Sequence, residues 1–192
     1  MKKALCTIIV SALALITAFC FAEAEKKENA SKPEFALRKI DEQTVLYTIY
    51  RGPYENIGPV IGNLFALAAK NGLIPKGPLS CAYLNNPQLV EKEHYITEIR
   101  IPVDKNALKL AGTLGEMTDI KTLPAGETVV TKKPKNTSDP SSIYNKLYGW
   151  LYENGYAGID NSCEVFLSQA MSTNYEQMET EIMIPVRKIS PE

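Results

Sequence analysis

Histidine is nearly absent from this chain of 192 residues: His94 is the only one, and it stands outside any metal-ligand spacing. A Ser-His-Asp triad would have to recruit it without a nucleophile-elbow motif, so that chemistry is set aside. His94 is expected at the surface, just before a strand. An excess of charge of either sign is also missing. The formal net charge is −1, and no Lys/Arg cluster is dense enough to form the basic face that phosphate backbones or anionic membrane surfaces require. Nucleic acid is therefore not expected as a partner. Neither a glycine-rich phosphate loop nor a dinucleotide fingerprint occurs. Cysteine is sparse, and Cys6, Cys20, Cys81 and Cys163 include no Cys-x-x-Cys pair. Zinc and thioredoxin-like chemistry fail with it, and no metal or cofactor is expected. What is there, 45% apolar and 22% charged residues, is the composition of a globular protein.

One long hydrophobic run is present, and it lies at the start. Lys2 and Lys3 precede an apolar stretch from Ala4 to Ala22, and Glu23 opens a charged one. A basic start, an apolar middle and the small residues of Ala22-Glu23-Ala24 make residues 1–24 a secretory signal, cleaved after Ala24 or, nearly as well, after Ala22. The competing reading is a retained membrane helix, since the run is just long enough to span. Phe19 before Cys20 disfavours a lipoprotein. Residues 25–34, charged and small, read as a flexible tether. The mature chain would then be periplasmic or extracellular, keeping only Cys81 and Cys163.

The remainder is repetitive. Thr97-Glu98-Ile99-Arg100-Ile101-Pro102-Val103 returns 83 residues later as Thr180-Glu181-Ile182-Met183-Ile184-Pro185-Val186. The same offset carries Asn71-Gly72 onto Asn154-Gly155, Leu64 onto Leu147, Phe65 onto Tyr148 and Tyr83 onto Phe166, without a gap from Phe35 to Val103. Several matches in one register are the mark of duplication. The fold class is α+β: a tandem pair of βαββ-type halves, 35–103 and 118–186, within a domain over 35–192. Phe35–Ile40 and Asp119–Leu123 read as opening strands, and Thr44–Tyr50 and Thr128–Lys132 as second strands. A helix follows in each half, capped by Asn56 or by Asp139 with Pro140 at the first helical position, and closed by Asn-Gly. Third strands fall near Leu79–Leu84 and Cys163–Leu167, fourth strands at Tyr95–Val103 and Glu179–Val186. One half is too small to bury both helix and sheet well. Two halves facing across a pseudo-dyad solve this and leave a central cleft where a ligand can sit. A monomer is expected.

Two features could carry chemistry. The second helix bears Tyr144, Tyr148, Trp150 and Tyr152 where the first has Ile61, Phe65, Leu67 and Ala69. Ile143, Leu147, Trp150 and Leu151 share one helical face, with the tyrosine stripe beside it. The rings can simply be core and surface, but polar-tipped aromatics also suit a wall that meets apolar ligand and water. Glu164 interrupts an apolar strand, and alternation puts it with Phe166 on one face, opposite Cys163 and Val165. It is either a solvated glutamate or a carboxylate looking into the cleft. In the cleft it would recognise a cation or transfer protons. Because a buried, unpaired acid is costly, Glu164→Gln is expected to leave stability equal or slightly higher. The repeat register sets Cys81, not Cys163, at the position of Glu164, so the two cysteines point to opposite sides and are expected to stay free thiols.

Tyr47–Tyr54 (YTIYRGPY), the helix ending in Asn-Gly, Cys81-Ala82-Tyr83-Leu84-Asn85-Asn86-Pro87 and the two Thr-Glu-Ile-x-Ile-Pro-Val segments resemble the GyrI-like small-molecule-binding superfamily. This is the effector-binding domain found also in AraC-type and MerR-type transcription regulators. The resemblance spans roughly Phe35 to Val186. It implies helices on a curved antiparallel sheet and a central pocket with a glutamate on the third strand of the second half, here Glu164. It also implies small apolar or cationic aromatic ligands, walled by Trp150, Tyr144, Tyr148, Phe166, Tyr83 and Tyr54. Members similar in fold hydrolyse reactive electrophiles, which makes Glu164 a catalytic residue only in that alternative. The second half departs from the family's Lys-Gly-x-Tyr-like turn, with Lys132-Lys133-Pro134-Lys135-Asn136 in its place.

Overall fold

The computed structural model describes residues 35–137, 139–167 and 178–189. The expected signal (1–24) and tether (25–34) lie outside the described residues. The elements run β1 (Ala36–Ile40), β2 (Gln43–Arg51), α1 (Ile57–Lys70), β3 (Ser80–Tyr83), β4 (Ile96–Pro102), β5 (Thr118–Leu123), β6 (Gly126–Lys133), α2 (Pro140–Glu153), β7 (Tyr156–Gly158), β8 (Cys163–Phe166) and β9 (Thr180–Lys188). Among the described residues, three short 3-10 turns accompany them. One, Lys105–Leu110, occupies the linker between the halves.

Helix ends follow local chemistry. The Asp139 carboxylate accepts from the Ser142 backbone N–H and Pro140 opens α2. Asn56 sits at the N-cap of α1, but its side chain makes no capping bond; a 3-10 turn, Tyr54–Asn56, leads into the helix instead. At both C-termini the asparagine amide donates back one turn, Asn71 to the Leu67 carbonyl and Asn154 to that of Trp150. Gly72 and Gly155 then reverse the chain at φ +67°, where only glycine is unstrained.

All strands pair antiparallel in one sheet, in the order β1-β6-β9-β8-β3-β4-β2-β5, with β7 added on β9. The halves meet at β3 and β8, where Cys81 opposes Glu164 and Ser80 and Ala82 oppose Val165 and Cys163. Since Cys81 and Glu164 are repeat equivalents, the pseudo-dyad passes through that pair. The opening strands do not stay with their own halves. β1 pairs with β6 and β5 with β2, an exchange the sequence reading did not foresee. Only Asp41 and Glu42 join β1 at one end of the sheet to β2 near the other, and Pro124 and Ala125 join β5 to β6. Three Cα steps reach about 11 Å at most. The sheet therefore curls into a half-barrel with its ends drawn together. β7 was also unforeseen; its first-half counterpart carries Pro75 where β7 has Gly158, and proline cannot donate to a ladder.

Both cores obey the repeat. Leu46, Leu64, Ala68, Ile99, Ile101 and Val103 are buried under α1, and their equivalents Val129, Leu147, Leu151, Ile182, Ile184 and Val186 under α2. The repeated Thr-Glu-Ile is accounted for in the same way. Thr97 and Thr180 face the helices, while Glu98 and Glu181 face the other side and pair with cations on the exchanged strands. Lys121 on β5 reaches Glu98 at 2.7 Å, and Arg38 on β1 reaches Glu181 at 2.7 Å. These two ion pairs are repeat equivalents.

Candidate functional site

Between α1 and α2, on the helix side of β3 and β8, lies a cleft of about 810 Å³. Glu164, Tyr144, Tyr148, Phe166, Tyr83 and Tyr54 all line it. Strand alternation places Glu164 and Phe166 there together, as expected, and Tyr83 follows from β3. Tyr144 and Tyr148, one turn apart on α2, point the same way. Tyr54 enters from the turn before α1, its ring 5.4 Å from that of Tyr83 and stacked at 4.7 Å on that of Tyr95.

Trp150 is not brought into this group. It lies about 120° around the helix from Tyr144 and packs instead between Phe35, at 6.1 Å, and Tyr156, at 6.0 Å, over the second core. The tryptophan expected as a cleft wall is a packing residue. Tyr152 is 87% exposed.

Glu164 is only 3% exposed, and it is not unpaired. Its Oε2 accepts from the Lys133 ammonium in a short ion pair and from the Thr180 hydroxyl at 3.0 Å. Its Oε1 accepts from the Tyr144 hydroxyl at 3.1 Å. None of these three donors was assigned to Glu164 from the sequence. The signals lay in the repeat itself: Thr180 is Thr97 again, and Lys133 replaces Tyr50 in the turn that departs from the family. In the first half Cys81 takes the place of the acid. Accordingly the buried Thr97 hydroxyl has no hydrogen-bond partner among the described residues, whereas Thr180 has Glu164.

Burial, then the negative charge of Glu164, holds the Tyr83 and Tyr144 phenols well above the ordinary tyrosine range, so both remain donors. Burial lifts Tyr148 more weakly. The same causes push the Cys81 thiol far up, and burial raises Cys163 to about 11 against the opposing pull of Arg100. Both cysteines are free, as the register predicted, and neither offers a thiolate near neutrality.

Two repeats whose helices flank one aromatic cleft, with a buried acid at the seam, have the build of a domain that encloses a small molecule. The sequence model of the GyrI-like small molecule binding domain matches residues 14–104 and, a second time, 107–187. The chain belongs to this family. Among solved structures it is similar to EcmrR in a cryo-EM complex with DNA, at TM-score 0.69 and 18% identity, covering 95% of this chain and 68% of that one. The crystal structure of the EcmrR C-terminal domain aligns at TM-score 0.66 and 18% identity, covering 82% and 99%. A hydrolase from Listeria innocua aligns at 0.60 and 15%, covering 87% and 98%. At such identities the likeness is one of fold alone. No curated protein matches the chain.

Proposed function

We propose that this protein binds small apolar, aromatic molecules in the cleft between α1 and α2, and that it does so outside the cytoplasm. The observation that carries the reading is the convergence of five aromatic side chains on one buried carboxylate, in a family of small-molecule domains. Tyrosine walls offer apolar area with a polar edge, and they also suit cations through their ring faces. A cationic ligand, however, would meet Glu164 already held by Lys133. The location rests on the sequence of residues 1–24. The test is fluorescence titration of the mature chain with a panel of naphthalene and biphenyl derivatives. Saturable 1:1 binding is expected, weakened fivefold or more by Tyr83→Ala or Tyr148→Ala. Trp150→Ala, which lies outside the cleft, should leave the affinity of the folded fraction unchanged. No saturation with any compound would refute the reading.

A second reading, hydrolysis of a reactive electrophile, draws on the Tyr144–Glu164 hydrogen bond: Glu164 would activate water and a tyrosine hydroxyl would serve the leaving group. The donors on Oε2 weigh against it, since a general base needs a free lone pair directed at the water. Turnover that disappears in Glu164→Gln would establish it in place of binding.

A further inference from the structure

The charge balance of the cleft floor narrows the ligand class. Glu164 and Lys133 are 3% and 5% exposed and form one ion pair. Among the described residues, the other ionised side chain lining the cleft is Asp160, which is exposed at its rim. The floor is thus electrically neutral without a ligand. Lys133 is not a demand of the duplicated fold. Its first-half equivalent, Tyr50, packs against the first core and donates to the Pro53 carbonyl. The acid and its cation both belong to the second half alone, since their first-half equivalents are Cys81 and Tyr50.

We propose that Lys133 determines specificity in the cleft: it occupies, from within the chain, the place on Glu164 that a ligand cation would take, and so restricts the site to uncharged aromatic molecules. The inference rests on the binding function proposed above and deepens it. A carboxylate accepts through about four lone-pair directions. Two on Oε2 are filled by Lys133 and Thr180, and one on Oε1 by Tyr144. Among the described residues, these leave a single acceptor direction for a neutral O–H or N–H group. An ammonium-bearing ligand must either displace the Lys133 amine or lie beside it, in a buried site where like charges repel strongly. The ring faces of Tyr83 and Tyr144 cannot offset that, because cation–π attraction is weaker than a buried like-charge contact.

The experiment compares two isosteres, (2-naphthyl)trimethylammonium and 2-tert-butylnaphthalene, by fluorescence titration of the mature wild type, Lys133→Met, Lys133→Gln and Lys133→Arg. Circular dichroism confirms which variants are folded; Lys133→Gln, which keeps a polar neutral group beside Glu164, serves if Lys133→Met does not fold. The wild type and Lys133→Arg should bind the neutral compound at least tenfold more tightly than the cation. Lys133→Met or Lys133→Gln should gain tenfold or more for the cation and change less than threefold for the neutral compound. If the wild type binds both alike and the ratio does not move on substitution, the cleft binds ligands but the role of Lys133 is wrong. If neither compound binds any folded variant, the binding function itself fails and this inference falls with it.

Discussion

Glu164 owes its tolerance in the interior to three donors, and the strongest of them is a lysine that is itself buried. Two charges removed from water together are costly, but removing one of them leaves the other uncompensated, typically at about 3–5 kcal/mol. Glu164→Gln should therefore lower stability by about 3 kcal/mol, the reverse of what an unpaired acid would give. Lys133→Met combined with Glu164→Gln removes both charges and should recover at least half of that loss. Urea midpoints of the wild type, the single variants and the double variant form the cycle. Additive effects would mean that the two side chains do not interact in the folded protein. The acid could be read from Cys163-Glu164-Val165-Phe166-Leu167, because alternation along a strand is a local property. The repeat marks Lys133 as a departure, since Tyr50 holds its place in the first half, but does not say that it meets the acid. Lys133 is two strands away, opposite Thr180 on β9, which in turn opposes Phe166 on β8. Sequence spacing carries no information on such a meeting.

Among the elements, the exchanged strands β1 and β5 do most to make one body of two halves. β1 pairs over five residues with β6, from Ala36 opposite Val130 to Ile40 opposite Gly126. Arg38 adds a bidentate bond to Glu181, at 2.7 and 2.9 Å, but its side chain is 49% exposed. A pair so exposed contributes under about 1 kcal/mol, so the ladder matters more than the charge. A chain beginning at Gln43 would leave β6 as a bare edge. Among residues 126 to 130, the amides that point to β1 should lose protection against hydrogen exchange by tenfold or more, whereas those of β4, paired with β2 and β3, should change little. Equal protection in both chains would show that β1 is not what covers β6. The opening strands were visible in the sequence as short alternating segments. Their partners were not, because a strand pattern encodes its faces and leaves the choice of neighbouring strand to the closure of the whole sheet.

Over its described residues the molecule is a sheet continuous through β3 and β8 with a cleft at its pseudo-dyad, and no helix among them is long and apolar enough to cross a membrane. The apolar run of residues 4–22 leads us to propose removal of the N-terminus on export. Intact-mass spectrometry of the extracytoplasmic fraction should find a chain starting at Glu25 or Glu23. Alkylation after denaturation, without reductant, should add two labels, at Cys81 and Cys163. A cytosolic chain starting at Met1 would refute export. A mass lower by two hydrogens, with neither cysteine labelled, would refute the free thiols that the strand register requires.

Repetition, strand alternation and helix caps were legible from residues alone, because each depends on neighbours a few positions apart or on one constant offset. They located both helices, most strands, the separation of Cys81 from Cys163 and the shared face of Glu164 and Phe166, while leaving open whether that face met solvent or the cleft. Trp150 marks where that kind of reading ends. Its helical spacing groups it with Leu147 and Leu151, its place among the rings of α2 made it a candidate wall of the cleft, and the docking of α2 against Phe35 and Tyr156 sets it over the second core. The same holds for the exchanged strands and for Lys133 on Glu164. Each is a contact between segments distant in the chain, selected by packing and charge burial over the whole curled sheet, and no local pattern stores that outcome.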